Sequence, residues 1–389
     1  MAYTEIELAE KISIVAQKRY QQIKPSGKPT CKSNGVKEWT VLAAVVAFNN
    51  EHDEFRLISL ATGVKALPDE ELKRSQGRMV HDSHAEILAI RGLNTAFLRQ
   101  IEMLDSDHEN EKCDLIEETD SPGVYRFRSD VWKLALYVSK IPCGDCSMHT
   151  LNDQDHTGIH FGEEDTCQYI DPNVKTTLRG RFNYSKKGIC RTKPGRADSN
   201  LTVSKSCSDK LLSKTVMSVL NAINWDLLQH PVYLDYLILP ESNRELKLSC
   251  NRNFRERLAS FPGVHPVNIL YCKTKFNDDQ NEEETKTPCP VSSILLDILP
   301  KSVIIEQCIL NGVRNGCYVK GPKDLRKNSE SVVSRLSQWQ SFKKLKKHRH
   351  FSSYMDFKAQ ELYRNELKLK LRAVLSPDGW IHTRTDNFH

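Results

Sequence analysis

Residues 81–99 read HDSHAEILAIRGLNTAFLR, and residues 132–146 read WKLALYVSKIPCGDC. In the first stretch Ile87, Ile90, Leu93 and Phe97 recur at helical spacing, so a helix is expected from His84 to Arg99. In the second, residues 132–138 form a short apolar run rich in strand formers, which ends just before Pro142 and Cys143. One helix therefore opens on an imidazole and a carboxylate, and one strand runs out onto a thiol.

Outward from these two stretches the pattern keeps alternating. Residues 39–48 (WTVLAAVVAF) read as a buried strand and residues 55–60 as its partner. Residues 208–223 read as a helix, residues 232–239 (VYLDYLIL) as a strand, and residues 354–374 as a strongly basic helix. Strands alternating with helices indicate an α/β layered fold. No repeat and no Pro/Gly/Ser linker divides the chain, so residues 1–389 are expected to form one domain. Residues 105–121 and 276–287 are acidic and poor in large apolar side chains, and are expected to be mobile surface insertions.

Composition excludes whole classes. The chain of 389 residues can bury a sizeable core without disulfides. Its longest clean apolar run is residues 41–48, far short of the ~20 residues a membrane helix needs. The first twenty residues form a charged amphipathic pattern, unlike a secretory signal. The twelve cysteines are scattered, and are expected to be reduced except where metal-ligand spacing says otherwise. The protein is thus expected inside the cell, in the nucleus, the cytoplasm or both. A net charge of +6 hints at an anionic partner. No membrane association and no protein partner is expected.

The chemistry-bearing residues follow a known logic. His84-x-Glu86 followed by Pro142-Cys143-x-x-Cys146 is the signature order of zinc-dependent nucleobase deaminases. Imidazole and thiolates suit Zn²⁺, and three protein ligands leave a fourth place for water. Glu86, two residues beyond the His, can reach that water and move its proton without ligating the metal. Each half of the pattern alone is common; Cys143 and Cys146 could equally be half of a structural zinc knuckle. The second thiolate has two candidates. Cys146 completes the simple spacing, whereas Cys207 opens the expected helix at residue 208, where the helix dipole stabilises a thiolate.

Three segments carry a resemblance. They are residues 81–87 (HDSHAEI), residues 141–145 (IPCGD) and residues 206–210 (SCSDK). Together they resemble the adenosine deaminases acting on RNA and their tRNA-specific relatives, from about Trp39 to the C-terminus. Residues 38–44 (EWTVLAA) and 191–196 (RTKPGR) resemble the tRNA branch. The resemblance implies a cytidine-deaminase-like layered fold of sheet and helices, enlarged by a helical C-terminal half. It implies hydrolysis of adenosine to inosine in tRNA, with adenosine 37 beside the anticodon of alanine tRNA as the target. Alternatives are a double-stranded RNA editor, a free-nucleoside deaminase or an inactive zinc-stabilised RNA-binding protein. No double-stranded RNA-binding domain is read ahead of the resemblance, and Glu86 is intact.

The resemblance also implies site roles. It makes His84, Cys143 and Cys207 the zinc ligands, leaving Cys146 as the fallback, and Glu86 the catalytic acid/base. Asp82 and Lys193 would link the zinc site to an enclosed inositol hexakisphosphate. That cofactor would be held by Arg91, Lys210, Lys358, Lys368 and Trp380, with Tyr354. Ile90, Ser213 and Lys214 depart from the family's cofactor pattern. Lys65, in a Thr62-Gly63-Val64-Lys65 turn, would contact RNA near the extruded base. Residues 320–349 add ten Lys/Arg against Asp324 and Glu330, with Trp339 and Phe342 interleaved, which reads as a polyanion surface.

Overall fold

A computed structural model describes residues 3–106, 114–150, 161–193, 200–241, 243–280, 286–298, 302–321 and 323–389. The centre is an eight-stranded sheet: β1 (Leu42–Asn49), β2 (Glu54–Thr62), β3 (Lys133–Val138), β4 (Tyr236–Pro240), β5 (Asn268–Cys272), β6 (Val291–Ile298), β7 (Val303–Leu310) and β8 (Val313–Arg314). Their spatial order is β5-β4-β3-β1-β2-β6-β7-β8. The pairs β3–β4 and β4–β5 are parallel, and the remaining pairs are antiparallel.

β1 shows why its sequence is apolar without alternation. Leu42, Ala44, Val46 and Phe48 face helix α1 (Glu5–Gln21) through Leu8, Ile12 and Tyr20. Ala43, Val45 and Ala47 face the other layer, built on helix α2 (Ala85–Asp105) through Leu88, Leu93 and Phe97. A strand covered on both faces buries every side chain, and all eight residues of β1 are buried. α1 itself starts on a capping box in which Thr4 and Glu7 satisfy each other's backbone amides.

The other helices are α3 (Cys207–Met217), α4 (Ala222–Leu227), α5 (Arg244–Asn251), α6 (Arg335–Leu345), α7 (Tyr354–Gln360) and α8 (Leu362–Leu375). The mixed α/β layering is as expected. Two helices differ from the sequence reading. The helix read over residues 208–223 stops at Met217, because Ser218 takes a positive φ of 65° and turns the chain into α4. The basic helix read over residues 354–374 breaks at Glu361 into α7 and α8. The C-terminal half is not wholly helical either: β4 to β8 all lie beyond residue 235, and helix dominates only from Arg335.

The two acidic segments are better anchored than their composition implies. Residues 107–113 and 281–285 lie outside the described residues. The described ends, however, are built into the fold. Leu115 and Ile116 are fully buried, and Ile116–Glu118 pairs with Tyr125–Phe127. Phe276 packs edge-on against Tyr20 at 4.9 Å, and Lys286–Pro288 pairs in parallel with Lys37–Trp39.

Candidate metal centre and basic cavity

Two helix N-termini and one strand end converge. His84 is the N-cap of α2, Cys207 is the first residue of α3, and Cys143 follows β3. Two glycines permit the approach. Gly63, at φ +149°, accepts the Ala85 amide at its carbonyl, and a Cβ there would lie 2.1 Å from the Ser83 carbonyl oxygen. Gly144, at φ +102°, lets Ser206 come so near that a Cβ would meet its Oγ at 2.2 Å. The Ser208 amide then donates to the Cys143 carbonyl at 2.9 Å.

The result is a compact donor set. His84 Nδ1 is 3.9 Å from Cys143 Sγ and 3.5 Å from Cys207 Sγ, and all three donor atoms lie within 4.8 Å of one another. Zn–S bonds of about 2.3 Å and Zn–N bonds of about 2.0 Å set tetrahedral donors about 3.5 Å apart, so one nitrogen and two sulfurs at these separations fit zinc. Among the described residues this is the one His/Cys/Asp/Glu group so gathered. A sulfur contact from Cys207 holds the Cys143 thiol well below the usual thiol range, despite burial, with Lys193 and His84 adding their charge. Cys146 is not in the group. It is buried, its amide donates to Ser208 Oγ at 3.2 Å, and its thiol meets Cys250. Burial first, and Cys250 second, push that thiol well up.

Glu86 is buried in the first turn of α2, where its charge acts on both Cys207 and Lys193. Lys193 donates to Asp82 Oδ1 and Oδ2 at 2.8 and 2.7 Å and to Cys207 Sγ at 3.1 Å. Lys210 donates to Asp82 Oδ2 and, at 2.7 Å, to Ser204 Oγ. Burial works to raise the Asp82 carboxyl, but the two ammonium groups outweigh it and hold Asp82 well below the usual carboxylate range. A chain Lys210–Asp82–Lys193–Cys207 thus runs from the gathered thiols to the half-buried Lys210. Lys65 is exposed beside it, its carbonyl accepting the Ser83 amide at 2.9 Å. In the tRNA-like segment 191–196, residues 194–196 lie outside the described residues.

Below Lys210 opens a cavity of about 230 Å³ between α3 and α8, lined by Lys205, Lys210, Lys214, Arg364, Lys368 and Arg372 and by Trp380. Asp209 also lines it, but its carboxylate is held by Arg257 at 2.8 Å. Crowding leaves its mark. Burial, then Arg364 and Lys368, push Lys214 down to about 7. Burial and like charges push Lys368 and Lys205 to about 8 and Lys358 to about 7. Arg91, pushed to about 10 by burial and then Arg335, donates twice to the Val333 carbonyl at 3.0 and 2.6 Å. Tyr354 is buried, stacked on Phe388, with Lys358 Nζ 5.5 Å from its ring centre. Trp380 is flanked by Lys205 Nζ at 4.7 Å and the Arg372 guanidinium at 5.1 Å.

Lys205 is buried and the other five cations are half-buried. So many crowded, partly desolvated cations need countercharge, and a ligand carrying several phosphates fits the donor set. Of the residues expected to hold the cofactor, Lys210, Lys368 and Trp380 line the cavity, whereas Arg91, Tyr354 and Lys358 are not among its lining residues, though Lys358 is near enough to feel the charge of Lys368 and Arg91 to act on Lys214. Lys205, Lys214, Arg364 and Arg372 were missed. The spacing of Arg364, Lys368 and Arg372, four residues apart on one helix face, was the available signal. Lys214, read as a departure from the family pattern, lines the cavity too.

Comparison with known proteins agrees with this geometry. The adenosine-deaminase (editase) domain pattern matches residues 59–376. The chain is 42% identical to tRNA-specific adenosine deaminase 1 of Saccharomyces cerevisiae, over 99% of this chain and 95% of that protein. It is 30% identical to tRNA-specific adenosine deaminase 1 of Schizosaccharomyces pombe, over 97% of this chain and 95% of that protein. With the double-stranded RNA-specific editase Adar of Drosophila melanogaster it shares 25% identity over 51% of this chain and 29% of that protein. With its His/Cys/Cys centre beside a buried glutamate, and with the domain pattern spanning most of its length, the chain belongs to the adenosine-deaminase (editase) family.

Proposed function

We propose that this protein hydrolyses adenosine to inosine in tRNA, acting on adenosine 37 of alanine tRNA, and that residues 1–389 form its single catalytic domain. The observation that carries the reading is the gathered His84, Cys143 and Cys207 with Glu86 buried alongside. Similarity along nearly the whole chain to a tRNA-specific deaminase, against half the chain for an RNA editase, favours tRNA over double-stranded RNA.

His84, Cys143 and Cys207 would hold zinc. Zinc in such a set supplies Lewis acidity that makes its water acidic near pH 7. Glu86 would take one proton from the attacking water as its oxygen bonds to the ring carbon bearing the amine. It would give that proton to the ring nitrogen and then carry the second proton, from the newly added hydroxyl, to the amine, so that the carbon–nitrogen bond breaks, a carbonyl remains and ammonia departs. Lys193 holds Cys207 and Asp82 in register and keeps positive charge beside the thiolates. A base stacked in a duplex cannot reach a recessed centre, so a loop nucleotide is the favoured substrate. Lys65 at the rim would meet the RNA flanking that base. The cavity between α3 and α8 would hold inositol hexakisphosphate through Lys205, Lys210, Lys214, Arg364, Lys368 and Arg372. Acting on tRNA, the protein would work in the nucleus, the cytoplasm or both.

The test is to incubate purified protein with unmodified tRNAs and with a long RNA duplex, and to map inosine by sequencing. Inosine at position 37 of alanine tRNA is expected; inosine confined to the duplex would overturn the substrate assignment.

A further inference from the structure

Residues 343–350 (KKLKKHRH) hold five Lys/Arg and two His with no acid. Lys343, Lys344, Lys347, His348, Arg349 and His350 are exposed. The neighbouring aromatic residues are not. Trp339 is 1% exposed and Phe342 is fully buried, and with Phe351 and Phe357 they form one packed cluster. The interleaved aromatics therefore belong to the core and offer no platform on which a base could stack. What remains outside is a charged ridge on a rigid bed, suited to phosphate backbone and not to base recognition.

Its position is as telling as its charge. Lys346 Nζ donates to the Gly123 carbonyl at 3.1 Å, and Arg349 pairs with Asp226. Gly123 lies in the turn between Ile116–Glu118 and Tyr125–Phe127, and the Phe127 ring packs 5.7 Å from that of Phe97. Phe97 follows His84 by thirteen residues on α2, about 20 Å along the helix at 1.5 Å per residue. β3 also starts at this end and runs from Lys133 toward Cys143. The ridge thus sits at the opposite end of the α2 layer from the metal centre. A nucleotide seated at the centre cannot also touch it.

We propose that residues 343–350 are a docking ridge for the phosphate backbone of tRNA beyond the anticodon stem-loop. The inference rests on tRNA being the substrate. It divides recognition in two: the base and its neighbours meet the centre, and a distant arm meets the ridge without regard to sequence.

The experiment compares wild type with a Lys343→Ala/Lys344→Ala/Lys347→Ala variant. Lys346 and Arg349 are kept because they tie the segment to Gly123 and Asp226. Affinity is measured for full-length alanine tRNA and for its isolated anticodon stem-loop across a salt series, with zinc content and melting as checks on folding. The variant should bind full-length tRNA about tenfold or more weakly. Its slope of log affinity against log salt should be shallower by about 2 to 3, and its stem-loop affinity should match wild type. Equal losses on both RNAs would put the ridge at the stem-loop and overturn the proposal. No loss on either would assign the ridge to an acidic protein partner, such as an import receptor. If wild type binds neither RNA above a random RNA of equal length, the tRNA assignment itself falls.

Discussion

Glu86 carries the sharpest claim at the scale of single residues. Glu86→Gln keeps shape but cannot move protons, so it should retain zinc and melting behaviour while losing about 10²–10⁴-fold in rate or more. Single-turnover assays on tRNA, paired with metal analysis, check this. The choice between thiols is equally sharp. Cys207→Ala should lose zinc, because it removes a donor and a negative charge from the set, whereas Cys146→Ala should keep zinc, because its thiol meets Cys250. Metal analysis of both variants decides it; loss from Cys146→Ala alone would reverse the assignment. This choice was only half legible. His84, Glu86 and Cys143 announce themselves by short spacing, but Cys207 is remote in sequence. Spacing alone pointed as readily to Cys146.

Among elements, the meeting of α3 and α8 makes the cavity, and its electrostatics have a readable sign. Lys214 and Lys358 near 7, and Lys368 and Lys205 near 8, lie below the 10.5 of an ordinary lysine. A lysine depressed in the folded state binds fewer protons there than when unfolded, so stability rises with pH across that window. Protein made in a host lacking inositol polyphosphates should therefore melt higher at pH 8.5 than at pH 7; above pH 9 the buried thiols, pushed up by burial, work in the opposite direction. Added inositol hexakisphosphate should raise melting most at the lower pH, where the ammonium groups are present to meet it. Thermal melting against pH, with and without the compound, checks both statements. The same logic gives Lys368→Ala opposite signs. With a polyanion in place it breaks a buried ion pair, at a cost of roughly 3–5 kcal/mol. In an empty cavity it relieves repulsion and stabilises. The resemblance reached only part of this site: Lys210, Lys368 and Trp380 follow from it, Lys214 read as a departure from the pattern, and Lys205, Arg364 and Arg372 drew no reading, because only the packing of α8 on α3 brings them together. Gly144 is visible in the sequence, yet its need for φ +102° is not. Gly144→Ala should push Ser206 and Cys207 away and release zinc.

For the molecule as a whole, sheet and helices fix the centre by joining distant parts of the chain. β1 and α2 were legible because a doubly covered strand is continuously apolar and a long helix repeats its apolar face. The break at Glu361 and the end of α3 at Met217 were not, since each is imposed by tertiary packing across a locally helical pattern. The acidic segments misled in the same way: the pair Leu115-Ile116 and the lone Phe276 are apolar residues among charges, and each reaches the core. Trp339 and Phe342 misled in reverse, being core residues set among exposed lysines. Above all, the fold is proposed to hydrolyse adenosine in tRNA at the His84–Cys143–Cys207 centre. The measurement is to run the reaction on unmodified alanine tRNA in heavy-oxygen water and weigh the released nucleosides. Inosine carrying one heavy oxygen from water is expected, formed by wild type and not by Glu86→Gln. Inosine without the label, or equal inosine from Glu86→Gln, would contradict it.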